Sequence, residues 1–211
     1  MKLDPDEGRV VGSLIEKQLT TPQQYPLSLN ALTLACNQTS NRDPVVSYSE
    51  AEVQSALDSL KEKGLARFVL PSHGRSVVRF RHVMDERLAL DNRQLALIAV
   101  LLLRGPQTVG ELRTRTERMA DFASIEEVES DLEGLTRWED PYVARLPRRP
   151  GQKEERWAHL FFEAPEPTDT GGEPRRGGGA IDELRAEVAA LRDEVGTLRQ
   201  EIGRLRDALG E

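Results

Sequence analysis

The stretch EVQSALDSL at residues 52–60 returns as EVESDLEGL at 127–135, and this internal repeat narrows the possible folds more than any other feature. Each copy follows a serine three residues ahead of a glutamate, Ser49 with Glu52 and Ser124 with Glu127. That is the spacing of a capping box at a helix N-terminus. In the first copy Val53, Leu57 and Leu60 recur at helical intervals and should face inward. The surroundings repeat too. Ahead of the first copy, apolar spacing predicts a helix over 9–19, with Val10, Leu14, Ile15 and Leu19 on one face. A second helix over 29–37, capped by Ser28, should bury Leu29 and Leu32, with Cys36 a further candidate for the same face. Behind it, Gly64 stops the helix, and 65–70 and 77–81 read as strands joined by the turn PSHGRS. Around the second copy the expected elements are a helix from Asp91 or Asn92 to Arg104, ended by Gly105-Pro106, and a short helix over 108–115. Strands at 142–146 and 156–161 follow, joined by PRRPGQKEE.

Three helices closed by a hairpin is the winged-helix order. The expected fold is therefore mainly α, of the α+β class: a winged-helix domain over 1–87 and a second over 88–163. A single mixed α+β domain is the alternative. Residues 164–180, APEPTDTGGEPRRGGGA, have the Pro, Gly and charge content of a flexible linker.

Beyond the linker, Ile181, Leu184, Val188, Leu191, Val195, Leu198, Ile202, Leu205 and Leu209 alternate spacings of three and four. This is a heptad seam, with β-branched residues at most a positions and Leu at every d, a pattern that favours a parallel two-stranded coiled coil. The flanks agree: Glu187, Glu194 and Glu201 would face Arg192, Arg199 and Arg206 of a second copy. Each exposed pair contributes only about 0.2–1 kcal/mol, so the charges select the partner and the seam supplies the stability. A homodimer through 181–209 is expected. A helix folded back on its own domain is the alternative, but it usually shows a wider apolar stripe.

Composition bounds the chemistry. Of 211 residues 38% are hydrophobic and 5% aromatic, which implies small aliphatic cores. Cys36 is the sole cysteine, which rules out an intrachain disulfide and a cysteine-based zinc site. The start MKLDPDEGRV has no apolar segment of a signal peptide, and the longest apolar run, 95–103, is too short for a membrane span. A cytoplasmic protein without membrane contact is expected. No Ser/His/Asp order, metal-ligand spacing or phosphate-cradling glycine loop is present. His73, His82 and His159 are scattered, so neither catalysis nor a cofactor or metal is expected.

Three further stretches carry a resemblance: EKQLTTPQQYPLSLNALTLACNQTSNRDPV at 16–45, LLLRGPQTVGELRTRTERM at 101–119 and LPRRPGQKEERWAHLF at 146–161. They resemble the bacterial YceH family. The resemblance implies two winged-helix domains in a cytosolic protein and no activity that transfers residue by residue.

Winged helices commonly place a polar or basic helix in the DNA major groove. Here the third helices are acidic, with Glu50, Glu52, Asp58 and Glu62 on the first and Glu126, Glu127, Glu129, Asp131 and Glu133 on the second. Such faces oppose phosphate neutralisation. The basic residues lie elsewhere: 63–84 hold Lys63, Arg67, Arg75, Arg79 and Arg81 and no acid. The expected DNA-contacting set is Arg67, Arg75, Arg79 and Arg81 on the hairpin, with Thr39, Asn41 and Arg42 on the adjacent loop. A solvated hairpin and a loop whose side chains satisfy its own backbone account for the same residues. A DNA-associated regulator binding double-stranded DNA is thus expected first. A scaffold binding an unidentified protein through the acidic third helices comes second, and a small-molecule effector pocket has no ligand signature behind it.

Overall fold

The computed structural model describes residues 2–70, 77–148 and 154–162. The hairpin tips, the linker and the whole heptad seam lie outside the described residues. Among the described residues, seven helices and five short strands run in the order α1 (Pro5–Thr20), β1 (Leu27–Ser28), α2 (Leu29–Cys36), α3 (Glu50–Glu62), β2 (Ala66–Val69), β3 (Arg79–His82), α4 (Met84–Leu88), α5 (Asn92–Arg104), α6 (Val109–Thr116), α7 (Ile125–Thr136), β4 (Val143–Leu146) and β5 (Arg156–His159), with a 3₁₀ turn at Pro22–Gln24.

Local chemistry sets the helix ends. Ser28, Ser49, Asp91, Thr108 and Ser124 each accept a backbone N–H at the first turn of α2, α3, α5, α6 and α7. Gly64 after α3 and Gly105 after α5 take φ +70°, a backbone region that costs glycine nothing. Two expectations change. The first helix starts at Pro5 rather than Arg9, because Asp4 and Glu7 form a capping box with Pro5 at the first position. The second expected box is half formed: Ser124 accepts from Glu127 N–H, but the Glu127 carboxylate accepts from Ala123 N–H at 3.1 Å. Helix α4 and strand β1 are additions that no apolar pattern announced.

The first sheet has the order β1-β3-β2, all antiparallel, with Leu27 opposite Phe80 and Phe68 opposite Phe80 on its other side. The second repeat copies it. Strands β4 and β5 pair antiparallel, and Gln107, just ahead of α6, bridges Trp157 in β5 as Leu27 and Ser28 bridge β3.

The two repeats do not keep separate cores. Residues 1–164 form one compact unit, and one apolar cluster runs from Val10, Leu14 and Leu57 through Leu97 and Leu101 to Leu132 and Trp157. Helix α5 is its axis. Residues 95–103 are all buried, as expected of a helix apolar on every side. The most extensive helix packing joins α5 to α1, and Gly8 and Gly12 permit it. A methyl on Gly8 would stand 2.5 Å from the Phe162 ring, and one on Gly12 3.1 Å from Leu103. The N-terminal strand end also crosses over: Leu3 N–H donates to Phe161 O at 2.7 Å.

Each hairpin carries a histidine at the same register, His82 opposite Ala66 and His159 opposite Val143. Burial pulls both imidazoles down to about 4, against an ordinary 6.5. His82 is 1% exposed, and its Nδ1 accepts Met84 N–H at 3.2 Å, so the neutral ring is the one the fold holds. The unfolded chain binds protons below about 6.5 that the folded one refuses until about 4. Stability contributed by His82 is therefore full above pH 6.5 and drains away as pH falls to 4, on the order of 1–3 kcal/mol. Urea midpoints measured across this window should fall for the wild type and fall less steeply for His82→Gln, in which His159 still titrates. Equal slopes in the two proteins would contradict it.

Candidate functional site

The expected DNA-contacting residues scatter across two environments. On the hairpin, Arg67 and Arg81 sit directly opposite one another on β2 and β3. Like charges in that position repel, and Glu86 of α4 relieves them, reaching Arg67 at 3.1 Å and Arg81 at 2.8 Å. The Arg81 hydrogen bond holds the Glu86 carboxyl below its ordinary range. Glu86 lies just past the acid-free window of the sequence, so the basic stretch is partly neutralised by a residue that the window left out. Arg79 donates to Pro26 O at 2.8 Å while its side stays exposed. Lys63 turns away to Glu7 at 2.6 Å, and Lys61 lies 4.4 Å over the Phe68 ring. Arg75 lies outside the described residues.

Glu7 shows how firmly the far end of this region is tied. It is fully buried, which pushes its carboxyl up, but hydrogen bonds from Lys63, Ser59 Oγ and Asp4 N–H outweigh burial and hold it below the usual range.

The loop between α2 and α3 is largely structural. Arg42 is not available to DNA. It is 5% exposed, and its guanidinium grips both Glu16 oxygens at 3.2 and 2.7 Å and the Ala35 carbonyl at 2.7 Å. Ala35 lies in the last turn of α2, where carbonyls lack intrahelical partners, so Arg42 acts as a cationic cap. Asn37 exchanges two 2.8 Å hydrogen bonds with the Tyr48 backbone. Asp43 N–H donates to Leu103 O at 2.9 Å and Arg104 Nη1 to Asn41 Oδ1 at 2.9 Å, so the loop is pinned to α5. Thr39 and Asn41 alone keep exposed side chains from the expected loop set.

The acidic helices diverge. Glu50, Glu52, Asp58 and Glu62 of α3 are exposed. On α7, Glu127 and Asp131 hold Arg93 of α5 at 3.2 and 2.8 Å. The hairpin beside α3 carries an exposed apolar stem: Leu70 is 74% exposed and Val77 59%, with Val69 and Val78 beside them. Its only signal in the sequence was four aliphatic residues flanking a polar turn.

Burial pushes the Cys36 thiol up to about 11, which keeps it protonated. Among the described residues no group of His, Cys, Asp and Glu is placed to hold a metal ion, and no helix is long and apolar enough to cross a membrane.

Removing Glu16 leaves the Arg42 charge buried and unpaired. Glu16→Ala should therefore destabilise by about 3–5 kcal/mol in urea denaturation. Arg42→Ala added to it should then cost far less than alone. Additive losses would mean that the two side chains do not act as a pair.

A family model described as "Protein of unknown function, DUF480" matches residues 3–152. A UPF0502 protein of Geotalea uraniireducens (strain Rf4) is 57% identical over 166 residues, covering 79% of this chain and 75% of its own. A UPF0502 protein of Dechloromonas aromatica (strain RCB) is 48% identical over 192 residues, 90% of this chain and 89% of its own. One from Shewanella sp. (strain MR-7) is 49% identical over 170 residues, 79% and 76%. With matches of this extent, the chain belongs to the DUF480 or UPF0502 family, the family of YceH.

Proposed function

We propose that each repeat is a winged helix and that the pair is a protein-interaction module, doubled by a dimerising tail. Two observations support the winged-helix assignment: in the first repeat the order helix, short strand, helix, helix, hairpin with the first strand paired to the last, and in the second the same order with a single bridge from Gln107 to β5 in place of that strand. The interaction role is carried by the outward surface of the first repeat. That repeat exposes both the carboxylates of its third helix and an apolar hairpin stem. Exposed aliphatic groups rimmed by charge suit a protein partner, whereas exposed carboxylates on the third helix repel phosphates.

Duplex DNA is the second candidate, favoured by Arg79 and by the outer sides of Arg67 and Arg81, with Thr39 and Asn41 exposed on a separate loop. The two separate cleanly. The full chain should copurify a protein in stoichiometric amount, lost in Leu70→Glu and Val77→Glu variants whose melting temperatures are unchanged. It should not shift a random duplex at low salt. A shift that disappears with Arg67→Ala, Arg79→Ala and Arg81→Ala, and no protein partner, would transfer the role to DNA.

The tail is proposed to pair two copies in parallel. The alignment with the Dechloromonas relative covers more of the chain than the compact unit occupies, so the similarity runs past it. Sedimentation equilibrium at micromolar concentration should return twice the protomer mass. Leu191→Lys with Leu198→Lys should return a single protomer with its compact unit still folded. A wild-type protomer mass would remove the pairing.

A further inference from the structure

A cleft opens where the two repeats meet, between the ends of α1 and α5, the loop at Asn41 and helix α6. It is small, about 40 Å³, and Arg104, Arg115 and Arg118 line it together with Asn41, Leu103 and Met119. Glu16, which also borders it, already holds Arg42 with both oxygens.

The guanidinium groups outnumber their direct carboxylate contacts here, while Asp43 and Glu111 act on Arg104 from a greater distance. Arg115 has one contact with Glu111, at 3.4 Å. Arg118 is exposed and shows no carboxylate partner among the described residues. Arg104 donates from Nη1 to Asn41. Burial, and then the charge of Arg115, pull the Arg104 guanidinium below its ordinary value. Crowded guanidinium groups with unused donors are matched by an oxyanion, whose planar or tetrahedral oxygens accept several N–H groups at once. Leu103, 2% exposed, and the partly buried Met119 add an apolar wall.

The geometry points to a binding site for a small organic oxyanion, a phosphate ester or carboxylate with a short apolar body, held by Arg104, Arg115 and Arg118. Such a ligand would bear on the first repeat as well as the second, because Arg104 also holds Asn41 and so the loop leading into α3. This site is independent of the hairpin stem: none of its residues lies on the surface proposed for a protein partner.

The probes are inorganic phosphate and butyrate, titrated separately into the full chain at ionic strength held constant with chloride. At least one should bind saturably and raise the melting temperature. The stronger of the two names the oxyanion. Arg104→Gln and Arg118→Gln should each weaken that binding by at least about tenfold, a fair return for one charge-assisted hydrogen bond. Arg137→Gln, outside the cleft, should not. Melting without ligand reports on folding in the same scan, and the exposed Arg118 carries the test if Arg104→Gln fails to fold. No saturable binding of either probe, or equal binding by the Arg118 variant, would overturn the site. A random duplex that binds through Arg104 and Arg118 while both small probes fail would assign the cleft to a nucleic-acid backbone instead.

Discussion

The close approach of α1 to α5 is the contact on which the rest of this fold depends. Helix axes usually lie 8–10 Å apart, separated by the side chains between them. Here Gly8 and Gly12 put no side chain on that part of α1, and the Leu102 and Leu103 side chains and the Phe162 ring fill the space. Two consequences follow. The apolar faces of the two repeats close over one another, so neither has to bury its core unaided. The loop at 37–44 is also brought against the end of α5, where Asp43 and Asn41 find their partners. A bulky residue at either glycine would push the helices apart and loosen both arrangements together.

Arg42 and Glu16 illustrate how polar groups are carried inside this interface. A buried ion pair often gains little over apolar residues of the same shape, because both charges lose their water. This one is unusually well satisfied, with the guanidinium also bonded to Ala35 O, Asn41 O and Gln38 Oε1. It joins α1 to the end of α2 and fixes the path of the loop. Arg9 lies nearby, donates to Pro44 O, and is drawn below its ordinary pKa by burial and by Arg42. The polar interior thus specifies how the loop leaves α2, while the aliphatic cluster supplies the driving force.

Much of this architecture was legible in the residues. Ser28, Ser49 and Gly64 act locally, through hydrogen bonds and backbone angles within a turn or two, and their effects can be read without knowing the fold. The start of α1 was hidden because its first turn, Pro5, Asp6, Glu7 and Gly8, adds nothing to the apolar stripe, and Glu7 is buried there as a polar group. The roles of the arginines were hidden for a related reason. Arg42 and Arg67 look alike in a string of letters, yet one lies against a carboxylate 26 positions earlier and the other reaches solvent. Glu86 belonged to a short helix that no periodicity marked. Residue types in the candidate surface were thus readable, but their partners, brought together by tertiary packing, were not.

The ties from Arg93 to Glu127 and Asp131 give the duplicated units unequal duties. In the second unit the acidic helix is turned partly toward its own neighbour, and its charges brace α5. The first unit keeps the corresponding helix open to solvent. One acidic helix is thus spent on internal bracing, while the other leaves its carboxylates facing water.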